Sequence, residues 1–182
     1  VGVPNGYTSA QVVQAVPTGI QSALVLVTAQ TIGTTVSSVT VSNAFSATYE
    51  NYLIILSGGL ASSTPNLDLT LGATSTGYYY NNAYQAFGTG TFTTETATNA
   101  ASFVRVGNGR ADGLSAIIQI QQPNVAGRTL VQYENIAVAT GGTNVSGGGY
   151  LDNATSYTAF TLTVSSGTIT GGTLRVYGYT NS

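Results

Sequence analysis

An all-β protein, an antiparallel β-sandwich of jelly-roll type with a short N-terminal arm, is what this sequence predicts, and three observations carry the prediction. Apolar and polar residues alternate strictly in several short stretches, most clearly where Leu67, Leu69 and Leu71 interleave with Asp68, Thr70 and Gly72. Turn pairs such as Asn5-Gly6, Gly58-Gly59 and Gly171-Gly172 punctuate the chain at short intervals. No segment keeps apolar residues at helical spacing over several turns, and the helix formers Lys and Met are absent. Many short strands between such turns fit two facing sheets, and no repeat of fixed period points instead to a propeller or β-helix. Residues 1–19 form the arm or lead-in strand and residues 20–182 a single β-sandwich domain.

Taken in order, Val1 to Gly19 holds Pro4 and Pro17, and Pro17 ends any ladder or helix begun over Gln11 to Val16. The stretch reads as an arm packing on a neighbour or as a mobile terminus, with Ser9 to Ala15 the one candidate for a short helix. Ala23 to Thr28 and Tyr52 to Leu56 are continuous apolar runs, the pattern of strands covered on both faces. Contact between subunits is one source of that cover; an overlying loop or the arm is another. Thr35 to Ser42 reads as a strand with a slip near Ser37-Ser38, and Asn43 to Glu50 as a connection seating Phe45 and Tyr49 at the core edge.

Gly77 to Ala86 concentrates Tyr78, Tyr79, Tyr80 and Tyr84 among Asn and Gln. Rings with polar tips stack on sugars or form protein contacts at low entropic cost, so these four are the candidate glycan or partner contact, with a core-edge role as the alternative. Phe87 to Ser102 reads as a long exposed loop or hairpin. Gly107-Asn108-Gly109 reads as a turn, Leu114 to Gln121 as a strand with Ile118 and Ile120 on one face, and Pro123-Asn124 as its end. Arg128 to Tyr133 and Ile136 to Ala139 read as a pair around Glu134-Asn135, with further turns at Gly141-Gly142 and Gly147 to Gly149. Tyr157 to Tyr179 reads as strands in which Phe160, Leu162 and Val164, then Leu174, Val176 and Gly178, face inward. The last of these is expected to lie inside the fold.

Charged residues make up 5% of the chain, against about 25% in an average soluble domain. With no Lys, no His and a net charge of −2, nothing supplies the field that nucleic-acid binding needs. Zero Cys removes thiol chemistry and zinc-thiolate sites, and zero His removes the usual general base. No apolar run approaches the about 20 residues that span a bilayer as a helix. Six carboxylates remain, Glu50, Asp68, Glu95, Asp112, Glu134 and Asp152. A glycosidase needs two of them across a sugar cleft, whereas four arginines favour ion pairing for several. Asn66 to Asp68 and Asp152-Asn153 are thin candidates for calcium, without an EF-hand pattern. The expectation is no enzyme, no cofactor and no metal.

The ending Ser166 to Tyr179, S-G-T-I-T-G-G-T-L-R-V-Y-G-Y, resembles the C-terminal signature of small structural proteins of tailed bacteriophages, the decoration (cement) and head or tail fibre proteins. Phe45 to Ile54, F-S-A-T-Y-E-N-Y-L-I, is similar to the phrase that leads into a core strand in that group. Leu67 to Tyr80 occupies the place of their strand and aromatic loop but has Asp68 and Thr70 where that group carries arginines. The resemblance implies a non-catalytic β-sandwich on the virion surface, often a homotrimer. The chain is therefore expected to assemble with copies of itself on the major capsid protein as a capsid decoration protein. The alternative is a tail or head fibre tip that binds host-surface glycan.

Overall fold

The computed structural model describes residues 23–137 and 142–180. The expected arm over residues 1–19 and the short helix weighed for Ser9 to Ala15 lie outside the described residues. Those described hold fourteen strands and no helix. In chain order they begin with β1 (Leu24–Thr31), β2 (Ser38–Val41), β3 (Asn51–Gly58), β4 (Leu60–Ala61) and β5 (Asn66–Leu71). Next come β6 (Tyr78–Ala86), β7 (Phe92–Ala100), β8 (Phe103–Arg110), β9 (Gly113–Gln121) and β10 (Thr129–Ala137). The chain closes with β11 (Thr143–Leu151), β12 (Phe160–Val164), β13 (Ile169–Thr170) and β14 (Thr173–Tyr179).

Eight of these strands make a jelly roll. One layer runs β1-β14-β3-β9 and the other β2-β12-β5-β8, all antiparallel. Counted among the eight alone, the orders are 1-8-3-6 and 2-7-4-5, so chain-distant strands interleave and both layers close on one core. Two hairpins are inserted into this frame, β6–β7 between β5 and β8, and β10–β11 between β9 and β12. They extend the first layer to the path β9-β10-β11-β6-β7. The antiparallel β-sandwich expected from the alternation is thus the observed architecture, and β14, expected inside the fold, lies between β1 and β3.

The alternation explains the core directly. Tyr52, Ile54 and Leu56 of β3, Leu67, Leu69 and Leu71 of β5, Ile118 and Ile120 of β9, Phe160 and Leu162 of β12, and Leu174 and Val176 of β14 are all buried in one cluster. Phe45 enters it from the connection before β3, its ring edge-on to Tyr52 at 4.9 Å, and Tyr49 packs against its margin. The short β4–β13 pair and the turns at Gly58-Gly59 and Gly171-Gly172 close one end of the sandwich.

Four stretches depart from the sequence reading. Gly107-Asn108-Gly109 is no turn: β8 runs through it, and the chain turns at Ala111-Asp112. The strand crosses from one layer to the other here, pairing first with β5 and then, through Asn108 to Arg110, with β9. That crossing presses backbone on backbone, so a Cβ on Gly107 would lie 2.8 Å from that of Ala116. Gly147 to Gly149 likewise sits inside β11, where a Cβ on Gly147 would meet the Tyr133 ring at 2.6 Å. Glu134-Asn135 is continuous within β10, whereas the Thr-rich stretch after Phe87 takes the hairpin form, one of its two expected forms, with β7 hydrogen-bonded to β6. Ser38 starts β2, with only an isolated bridge from Val36 to Ile169 before it.

The two apolar runs fare differently. In β3, Leu53 and Ile55 are half-buried on the outer face. Among the described residues β1 pairs with β14 alone, and Leu26 is 53% exposed.

Candidate functional site

The four tyrosines of β6 do not share a surface. Strand alternation sends Tyr78, Tyr80 and Tyr84 inward and Tyr79 outward. Tyr78 is fully buried, its hydroxyl accepting from the Leu71 N–H at 2.9 Å and donating to the Thr74 carbonyl at 3.0 Å, its ring edge-on to Phe103. Burial pushes its phenol up to about 12. Tyr80 is also buried, and burial raises its phenol, helped by Glu95. The Tyr84 ring lies under the Arg105 guanidinium at 4.6 Å. Tyr79 stacks on Tyr150 of β11, ring centroids 4.9 Å apart and planes 3° from parallel. A shared ligand platform of four rings is therefore corrected to a single outward pair, Tyr79 with Tyr150, because burial takes Tyr78 and Tyr80 out of reach.

On the inner side, where β8 crosses between the layers, polar groups gather around Arg105. This residue has φ of 61°, and its Nε donates to Glu95 Oε2 at 2.8 Å and its Nη1 to Asn66 Oδ1 at 2.9 Å. Its backbone N–H donates to Asp68 Oδ1, and its carbonyl accepts from Asn135 Nδ2 at 2.9 Å. Asn135 Oδ1 in turn accepts from Asn108 Nδ2. Burial raises the Asp68 carboxyl above the usual range, against the lowering effect of the Arg105 backbone N–H and guanidinium. The cluster uses its charges on itself. It occupies Asn66 and Asp68, one of the two stretches weighed for calcium; in the other, Asp152 pairs with Arg128 at 2.8 Å and Asn153 Oδ1 caps Thr155. Among the described residues no group of three or more acidic, His or Cys side chains is placed to hold a metal ion.

A broad concavity lies on the opposite, outer face. It crosses β9, β10, β11, β6 and β7, a width of about 19 Å at the ordinary strand spacing, and has a volume of about 740 Å³. Its floor is Ser146 and Gly148 of β11; one wall is Gln119, Gln132 and Glu134, the other Asn81, Thr94 and Thr96. A neighbouring hollow of about 360 Å³ shares Asn81, Gln132 and Gly148 and continues past Gln121 and Leu130. The cross-strand register then places the Leu130–Tyr150–Tyr79 row at that end. Reading Gly147 to Gly149 as a turn hides this groove in the sequence. The outward alternation of Gln119, Gln121, Gln132 and Glu134 was its one visible trace.

No protein-family model, curated protein or solved structure matches this chain.

Proposed function

We propose that the chain is a non-enzymatic structural protein of the virion surface of a tailed bacteriophage, a capsid decoration protein that assembles as a symmetric oligomer, with a trimer expected. The observation that carries this reading is the exposed apolar face of β1. Leu26 is continuous through cross-strand pairs with Tyr177 and Leu53 on the outer face, and Val25 and Leu26 are 36% and 53% exposed. Among the described residues, β14 is the strand that β1 pairs with. Exposed apolar, uncharged side chains on a strand invite a second chain, and low net charge does not oppose the approach.

Two further features support the reading. The eight-stranded interleaving is the architecture of many capsid and lectin domains. Three of the six carboxylates, Asp68, Glu95 and Asp152, are engaged by arginine side chains or backbone. The outer groove favours a second reading, a fibre tip that binds host-surface glycan. Sedimentation of the purified chain and occupancy on intact particles test the proposal: a stable oligomer that saturates capsid sites is expected. A strict monomer that fails to bind particles would sink it.

A further inference from the structure

We infer that the groove on the outer face of the extended sheet binds a neutral oligosaccharide, laid across the strands over Gly148 with the Tyr79–Tyr150 pair at one end. The inference rests on and deepens the glycan-binding reading of the same groove, and it stands apart from the assembly reading, which uses β1.

The groove is ligand-sized, its volume of about 740 Å³ falling inside the range of roughly 300–1,000 Å³ typical of such sites. Its chemistry is that of hydroxyl recognition. Asn81, Gln119 and Gln132 each offer an amide that both donates and accepts, the combination that pairs with vicinal sugar hydroxyls. These side chains project outward from strands whose backbones are locked on both sides, so the donors are held in fixed rows. Ile117 and Leu130 supply apolar surface for the C–H face of a sugar ring.

Other ligand classes fit less well. β11 is hydrogen-bonded through Gly147 to Gly149 to β10 on one side and β6 on the other, so the floor has no free edge for an added peptide strand. Glu134 is the charged side chain of the groove itself, and at the Tyr79–Tyr150 end the Arg128 guanidinium, 5.4 Å from the centre of the Tyr150 ring, is already paired with Asp152 at 2.8 Å, so phosphate, sulfate and acidic sugars meet a carboxylate and a cation that is already neutralised. A neutral polyhydroxylated chain is the ligand that satisfies the amides without leaving a charge unpaired.

The experiment uses the full chain against an immobilised panel of neutral glucans, galactans, mannans and N-acetylhexosamine oligomers, with sialylated and sulfated counterparts. The strongest binder is then titrated calorimetrically. Saturable binding of a neutral member, weaker with its anionic counterpart, is expected. Gln132→Ala and Asn81→Ala are each expected to weaken it about tenfold, the loss of one or two neutral hydrogen bonds. Ser146→Trp, which fills the floor from an exposed position, should abolish binding with the thermal midpoint kept. No binding across the panel, preference for anionic sugars, or undiminished binding by Ser146→Trp overturns the inference. So does an oligomer that falls apart in Ser146→Trp, which assigns the groove to a second copy; capsid occupancy, scored separately, reports on the assembly reading alone.

Discussion

Gly178 shows how a single position is dictated from across the fold. A Cβ there would collide with the Tyr49 ring, which packs edge-on against Tyr52 at 6.0 Å between centroids. Gly178→Ala is expected to destabilise the fold by about 1–3 kcal/mol through overpacking. Tyr49→Leu should recover part of that loss, a coupling that a double-mutant cycle in denaturant measures; additive effects would contradict the contact. Titration gives a second residue-level outcome. Tyr78 and Tyr133 are both raised by burial to about 12 from the ordinary 10.0. Their folded forms hold protons that the unfolded chain releases first, so their stabilising contribution is full below pH 10.0 and is lost as pH climbs through about 12. Tyrosinate absorbance of these two should therefore appear together with loss of near-UV circular dichroism, not ahead of it. Asp68 obeys the same sign: its raised carboxyl favours the fold below the ordinary value of 3.8 and loses that contribution as pH rises through the raised value. Asp68→Asn is expected to flatten this part of the stability profile, and an unchanged acid limb would show that Asp68 does not set it.

At the scale of the element, the contrast between β1 and β5 matters most. β5 alternates cleanly, with three leucines at 0% exposure, because it lies between β12 and β8 with one face on the core. β1 reads as a continuous apolar run yet is the outermost strand of its layer, with a register shift between Leu26 and Thr28. Its pattern anticipates cover beyond what the described residues provide. Leu26→Lys places a charge on that exposed face without touching the core. It should leave the thermal midpoint nearly unchanged and shift sedimentation toward the monomer; an oligomer that persists would move the contact elsewhere. The inserted strands teach the complementary lesson. β11 carries three successive glycines because its neighbours approach closely: a Cβ on Gly147 would meet the Tyr133 ring, one on Gly148 the Val131 carbonyl, and one on Gly149 the Tyr79 carbonyl of β6.

For the molecule as a whole, topology governs both folding and what the chain reveals in advance. β2 pairs with β12 and β1 with β14, so residues more than a hundred positions apart must meet before either layer exists. Such non-local pairing makes folding slow, on the scale of milliseconds to seconds or longer. Deleting residues 173–182 removes the strand between β1 and β3 and should abolish the cooperative melt followed by circular dichroism. A truncated chain that still melts cooperatively would mean β14 is dispensable, contrary to its central place.

Strand identity, inward faces and the β-sandwich class were legible along the chain, because side-chain alternation and turn chemistry are local: Leu67 to Leu71 and Phe160 to Val164 announce their buried sides without knowing their partners. Pairing, by contrast, was settled only in three dimensions. Whether Gly107 or Gly147 bends a chain or lets another segment approach depends on Ala116 and Tyr133, which no neighbouring residue discloses. The same holds for the candidate site. Tyr78, Tyr79, Tyr80 and Tyr84 are adjacent in sequence and divided by a sheet, while Asn81, Gln132 and Ser146, distant in sequence, are joined by one. A groove built across five strands belongs to the register between them, and register is a property of the assembled sheet.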